Sequence, residues 1–203
     1  MAGKKTGTTR PGKSAKKQHD HDSLIIDAAL DLAVRSGWRS LTMADIANET
    51  GLKLAEIRVI FPCKATILNG LVRRIDEQVL AEGDADGDSV RDRLFDLLMR
   101  RFDALNAYKP AVETIVRESW GDPAAALITG SRMLSSMQWM LEAAGVSTRG
   151  PLGLVRCNAL GLIYAKAVRA WLKDSSEDMT ATMAELDKGL RQAERLESVC
   201  RGR

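Results

Sequence analysis

Apolar residues recur along this chain at three- and four-residue intervals almost from end to end. No period-two run with β-branched enrichment interrupts them. The pattern therefore predicts helices only. The first is SLIIDAALDLAVRSG, with Ile25, Ala28, Ala29 and Leu32 on one stripe, Asp22 or Ser23 as its cap and Gly37 as its stop. Trp38 and Leu41 then turn the chain into the core. Thr42 caps a second helix of two turns, Asp45 sits where a capping box needs an acid, and Gly51 ends it. A short third helix spans about Leu54 to Ile60. Pro62 separates it from a fourth, about Lys64 to Leu80, with Ile67, Leu68, Leu71, Ile75 and Val79 on one side.

The stretch EGDADGDS, residues 82–89, reads as a loop. Its acids do not follow the calcium-loop pattern, which is longer and closes on a bidentate Glu. Five helices follow. Val90 to Asn106 carries Leu94, Phe95, Leu98, Met99, Phe102 and Leu105 on one face. The next starts at Pro110 and ends near Trp120. Gly121-Asp122-Pro123 opens a helix to about Ala144, which Gly145 stops. The last two run from Leu152 to Lys173 and from Glu177 to about Val199.

The helix from Leu152 is apolar around most of its circumference. It has the length of a membrane span, but Arg156, Lys166 and Arg169 argue against one. A helix of this kind is buried on more than one side. Gly161 and Ala165 allow another helix to approach closely. Together with Val168, Leu172, Met183 and Leu190 they form a candidate surface for a second subunit; a bundle-interior helix in a monomer is the competing reading.

Charge changes the picture more than composition does. The chain has 203 residues and 45% apolar content, enough for a sizeable core. Its net charge of +3 hides an asymmetry. Residues 1–17 hold Lys4, Lys5, Arg10, Lys13, Lys16 and Lys17 and no acid, so the remaining 186 residues sum to −3. The segment 1–20 is therefore expected to be a disordered basic arm. It has no apolar centre and so does not read as a secretory signal. Three roles fit it: a solvated tail, a contact with DNA phosphates or the minor groove, and a contact with an anionic membrane.

Candidate chemistry is sparse. Cys63, Cys157 and Cys200 match no zinc or disulfide spacing and fit a reducing cytoplasm, and His19 and His21 are the only histidines. No phosphate loop, metal cluster or activated nucleophile is present, so the expectation is a non-enzyme without a cofactor. Met99, Phe102, Trp120, Met133, Met137, Trp139 and Met140 lie on the middle helices. At that spacing they are core, or they line an adaptable pocket for an apolar small molecule or lipid.

One frame runs through the first third of the chain. It comprises Ile25-Ile26-Asp27-Ala28-Ala29, Gly37, Thr42-Met43-Ala44-Asp45-Ile46-Ala47, Gly51, Phe61-Pro62-x-Lys64 and Ile67-Leu68. In order and spacing these residues resemble the DNA-binding domain of the TetR family of regulators. The resemblance implies an all-α, TetR-like fold of about nine helices. A three-helix helix-turn-helix domain over 21–68 would be followed by a ligand-binding and dimerisation domain over 69–203. It further implies a homodimer whose last two long helices form a four-helix interface. Two reading heads would enter successive major grooves of a palindromic operator in double-stranded DNA. A ligand in the body would alter the spacing of the heads and release DNA, as in a repressor. Thr42 and Lys64 would hold phosphates, and the third helix would face bases.

The third helix departs from the family pattern. Where Ser-x-Gly-Thr-Leu-Tyr-x-His-Phe is usual, this chain has Lys53-x-Ala55-Glu56-Ile57-Arg58-x-Ile60-Phe61. Arg58 substitutes a charged contact for the tyrosine, whereas Ile60 donates nothing. Cys63 stands where Ser or Asn would cap the fourth helix, weakening that cap by ~1 kcal/mol. Helical phase points Leu54, Ile57 and Phe61 inward, leaves Ile60 at the margin, and points Ala55, Glu56, Arg58 and Val59 outward. Arg58 suits guanine, Glu56 suits cytosine, and Ala55 or Val59 suits a thymine methyl. Phosphate anchors are few, leaving Lys53, Lys64 and arm residues such as Lys16 and Lys17 to neutralise the backbone.

A second, less specific resemblance covers residues 153–190. Leu160-x-x-Ile163-Tyr164, Trp171-Leu172-x-Asp174-Ser175-Ser176-x-Asp178, Thr182 and Leu186 are similar to the TetR-fold lipid-binding accessory protein of ubiquinone biosynthesis. On that alternative the reading helix is degenerate and the body binds an isoprenoid or other lipid. Helix capping by the same Ser- and Asp-rich turn is the plainer reading of these residues.

Overall fold

The computed structural model describes residues 11–119 and 123–201, with side chains over 19–119 and 130–197. Within these limits all regular structure is helical, in nine segments: α1 (Pro11–Ser36), α2 (Met43–Thr50), α3 (Leu54–Ile60), α4 (Lys64–Ala81), α5 (Val90–Asn106), α6 (Lys109–Ser119), α7 (Pro123–Ala143), α8 (Gly150–Lys173) and α9 (Thr180–Arg201). Residues 1–10 of the basic arm lie outside the described residues, as does Trp120.

The first three helices form a head. Ile25, Ala29, Ile46, Ile57 and Ile67 are fully or almost fully buried where α1, α2, α3 and the start of α4 converge. Phe61 seats this cluster on α4. A Cβ at Gly70 would lie only 2.8 Å from the Phe61 ring, so a glycine is what lets the ring come down onto the helix.

The remaining helices form the body, and α4 belongs to both parts. Its second half contributes Ile75 and Val79 to a core shared with Leu97, Leu98, Phe102, Met137, Met140, Tyr164, Trp171 and Leu186. Phe102 stacks on Tyr164 with centroids 5.3 Å apart and lies 5.9 Å from Trp171. The Trp171 indole N–H donates to Asn106 Oδ1 at 2.8 Å. A buried ion pair crosses the same core. Arg101 of α5 binds Asp76 of α4, which also accepts from the Ser136 hydroxyl of α7 at 2.6 Å. Burial works against the Arg101 charge, but Tyr164 and Asp76 outweigh it and hold the guanidinium cationic.

Two ends differ from expectation. The first helix begins at Pro11 and not at an Asp22 or Ser23 cap, so residues 11–20 continue α1 where an arm was expected. Proline is at home in a first turn, and beyond Gly12 the Lys, Ala and Gln residues at 13 and 15–18 are good helix formers. The last helix begins at Thr180 and not at Glu177. Residues 174–179 are taken by a turn built on the Asp174 carboxylate. It accepts from the Ser176 amide and hydroxyl at 3.1 and 2.6 Å, and from the Thr182 amide and hydroxyl at 2.9 Å each. These bonds hold the Asp174 carboxyl well below the usual carboxylate range, the Ser176 hydroxyl contributing most.

Candidate nucleic-acid interface

The turn between α2 and α3 is set by local chemistry. Asp45 Oδ2 accepts the Thr42 amide at 2.8 Å and the Thr42 hydroxyl at 2.7 Å, while Thr42 Oγ1 accepts the Asp45 amide at 3.2 Å. The box predicted from the sequence is therefore closed, and the Thr42 side chain and backbone bonds lower the Asp45 pKa. Thr42 is exposed, but its hydroxyl proton is already given to Asp45. Gly51 ends α2 with φ of 70°.

On α3, Ile57 and Phe61 are buried, and they fix which face looks outward. That face carries Ala55, Glu56, Arg58 and Val59, all exposed, with Val59 80% open to solvent. Leu54 corrects the helical-phase expectation. It is 51% exposed and joins the outward face, because it is the first residue of the helix and overhangs the head core. Ile60 is half-buried at the margin, as expected. Glu56 takes a role the phase argument missed. Its carboxylate accepts the Lys53 amide at 3.0 Å, satisfying an amide at the start of its own helix. The carboxylate that suits a cytosine edge is thus already engaged by the cap of its own helix.

Lys64 is placed differently from a free phosphate anchor. Its ammonium donates to the carbonyls of Trp38 at 2.9 Å and Arg39 at 3.3 Å, and it lies 5.4 Å from the Trp38 ring centroid. The start of α4 is capped at Cys63 by a substitute, since the Cys63 amide donates to Thr66 Oγ1 at 3.3 Å. Lys53 is exposed at the entry to α3. Lys16 and Lys17 fall on the first turns of α1, with side chains outside the described residues.

The turn that Lys64 grips is held from the other side as well. Glu118, near the end of α6, accepts the Arg39 amide at 2.8 Å, and its carbonyl accepts from the Arg39 guanidinium at 3.1 Å. Gly37, with φ of 86°, leaves room for this carboxylate, which would lie 3.1 Å from a Cβ there. Arg39 and Glu118 are 79 positions apart, and nothing in the local sequence pattern pairs them.

Candidate body residues are scattered. Phe102 and Met137 are buried core, Met99 and Met133 are partly buried, and Trp139 is 53% exposed. The expected subunit surface also separates into two sets. Leu190 is buried within the subunit, and Gly161 faces α7, a Cβ there lying 3.3 Å from Leu134. Both are spent on intrachain packing. Val168, Leu172 and Met183 are partly buried and Ala165 is exposed. The exposed apolar stripe of α8 consists instead of Leu154, Val155, Leu162 and Ala165.

Among the described residues no group of acids, histidines and cysteines is arranged to hold a metal, and no helix is long and apolar enough to cross a membrane.

No protein-family model and no curated protein matches the chain. Solved structures do. A TetR transcriptional regulator from Nitrosomonas europaea superposes with a TM-score of 0.68 and 25% identity, over 86% of this chain and 98% of that one. One from Rhodococcus sp. RHA1 gives 0.65 and 19%, over 87% and 96%. Thermus thermophilus FadR, a TetR-family transcriptional repressor in complex with lauroyl-CoA, gives 0.55 and 21%, over 84% and 91%. The chain therefore has the all-α TetR fold, the architecture of these transcriptional regulators. The likeness to the ubiquinone accessory protein gains no support from these structures. In this chain Trp171, Asp174 and Thr182, which carry it, are engaged in core packing and in the turn before α9.

Proposed function

We propose that this protein is a transcriptional regulator that binds a palindromic duplex operator as a homodimer, with α3 of each subunit in the major groove. The observation that carries the reading is the outward face of α3. Arg58 is exposed and pairs with no described residue, Ala55 and Val59 stand beside it, and Ile57 and Phe61 anchor the helix from behind. Arg58 is assigned to a guanine edge, and Val59, Ala55 and Leu54 to thymine methyl groups. Lys53 is assigned to a phosphate, with Lys16 and Lys17 supplementing it. Both donors of Thr42 are held by Asp45, so Thr42 does not take the phosphate role that the resemblance implies. The apolar stripe of α8 buries itself against its copy in the partner subunit. The regulator acts as a ligand-responsive repressor, and its effector is an apolar small molecule or lipid received in the body. FadR, which shares the fold and is a repressor in complex with lauroyl-CoA, supports that part of the reading.

The test is fluorescence anisotropy on duplex fragments flanking the protein's own coding region, across a salt series. Selective binding that weakens log-linearly with salt is expected. Arg58→Ala should cost about 1–3 kcal/mol of selectivity while leaving binding to random duplex nearly intact. Binding that is equal on every duplex and vanishes at moderate salt would sink the proposal.

A further inference from the structure

Head and body meet along an open cleft that the regulatory reading leaves unused. One wall is the face of α1 that carries Leu30, Asp31 and Val34, with Glu49 of α2 beside it. The turn between α5 and α6 and the first turn of α6 form the other, with Tyr108 and Ala111. The cleft is open to solvent and offers about 450 Å³. Leu30 and Ala111 give it a buried apolar floor. Val34 is 53% exposed, a bare branched side chain on the wall of the cleft.

The charges in the cleft do not cancel. Arg35 is already committed to Glu49 at 2.5 Å, the pair linking α1 to α2 along one edge. Asp31 has no cationic partner among the described residues. The Tyr108 hydroxyl accepts from Arg74 at 3.3 Å and keeps its own proton to donate. An open apolar hollow with one unpaired carboxylate favours some ligands over others. An anion would meet Asp31 and Glu49. A neutral apolar molecule would use the apolar floor but leave the Asp31 charge without a partner. A metal ion would find a single free carboxylate.

We propose that this cleft binds a small organic cation, its ammonium group against Asp31 and its apolar or aromatic body against Val34 and Tyr108. Such a ligand touches α1 and α2 of the head and the α5–α6 turn of the body at once. It therefore favours one orientation of the head over others, and duplex binding and cation binding become reciprocally coupled. The coupling rests on the regulatory reading; the site does not.

The full chain is titrated with phenethylammonium, 2-phenylethanol and 3-phenylpropionate, followed by calorimetry and by amide chemical shifts. Saturable binding is expected, tightest for the ammonium, several-fold weaker for the alcohol and weakest for the carboxylate, with shifts confined to residues 30–35, 49 and 107–111. Asp31→Asn should weaken it roughly threefold to fivefold, the scale of an exposed ion pair. Asp31 is exposed and unpaired, so this variant keeps its fold, which a thermal melt verifies. Val34→Ser should weaken binding too. Equal binding of all three probes, unchanged affinity in Asp31→Asn, or shifts elsewhere would overturn the site. Ammonium binding in a protein that never selects a duplex supports the site and counts against the regulatory reading instead.

Discussion

Lys64 shows how a side chain with an expected ligand can be occupied by its own fold. Its ammonium sits at the positive end of α4, where the helix dipole disfavours a cation. Two carbonyls and the Trp38 ring compensate. Replacing it with methionine leaves those carbonyls without their charged donor, and hydrogen bonds to charged groups contribute about 1.5–3 kcal/mol. Lys64→Met is therefore expected to lower the head's stability by ~1–2 kcal/mol, read as faster hydrogen exchange at residues 37–42 and a lower urea midpoint. Duplex binding should weaken with it. An unchanged midpoint combined with weaker duplex binding would return Lys64 to the phosphate role that the family resemblance implies. Glu56 illustrates the same principle with opposite sign. On the proposed reading an acid on α3 would cost phosphate affinity, but it satisfies the start of that helix.

At the scale of elements, the turn between α8 and α9 is organised around one side chain, Asp174. One carboxylate receives four bonds and ties the end of α8 to the first turn of α9. Because the folded Asp174 pKa lies below its unfolded value of about 3.9, the stabilisation is fully present above that unfolded value. It is lost as pH falls toward and through the folded one. Asp174→Ala should thus melt well below the parent at neutral pH, and the gap should close as the pH drops below about 4. A gap that persists unchanged into acid would mean that the carboxylate's charge is not what holds the turn.

The whole molecule is arranged so that one turn, residues 37–41, is gripped by both α4 and α6. On the proposed reading, a ligand that shifted those body helices would reach α3 through this turn. On the outside, the α8 stripe of Leu154, Val155 and Leu162 is bare apolar surface. A Leu162→Glu, Val155→Glu double variant is expected to sediment as a monomer with an unchanged helical spectrum. Its duplex affinity should drop by at least ~100-fold, because two half-sites are no longer bound together. A variant that remains dimeric would move the interface away from this stripe.

Local physics made much of the chain legible in one dimension. The order of the helices, the Thr42–Asp45 box, the α3 limits and the burial of Ile57 and Phe61 follow from periodicity and capping, which act within a few residues. The outward set Ala55, Glu56, Arg58 and Val59 was readable for the same reason. Leu54 was not, because a helix's first residue is buried or bare according to what lies opposite. Contacts between distant positions were equally silent. The grip of Glu118 on Arg39, the Asp76–Arg101 pair, the use of Gly161 and Leu190 inside the subunit, and the cleft around Asp31 each join residues far apart in the chain. Amphipathic spacing states that a helix has an apolar face; only the packed molecule decides which part of that face meets its own chain and which part is left for something else.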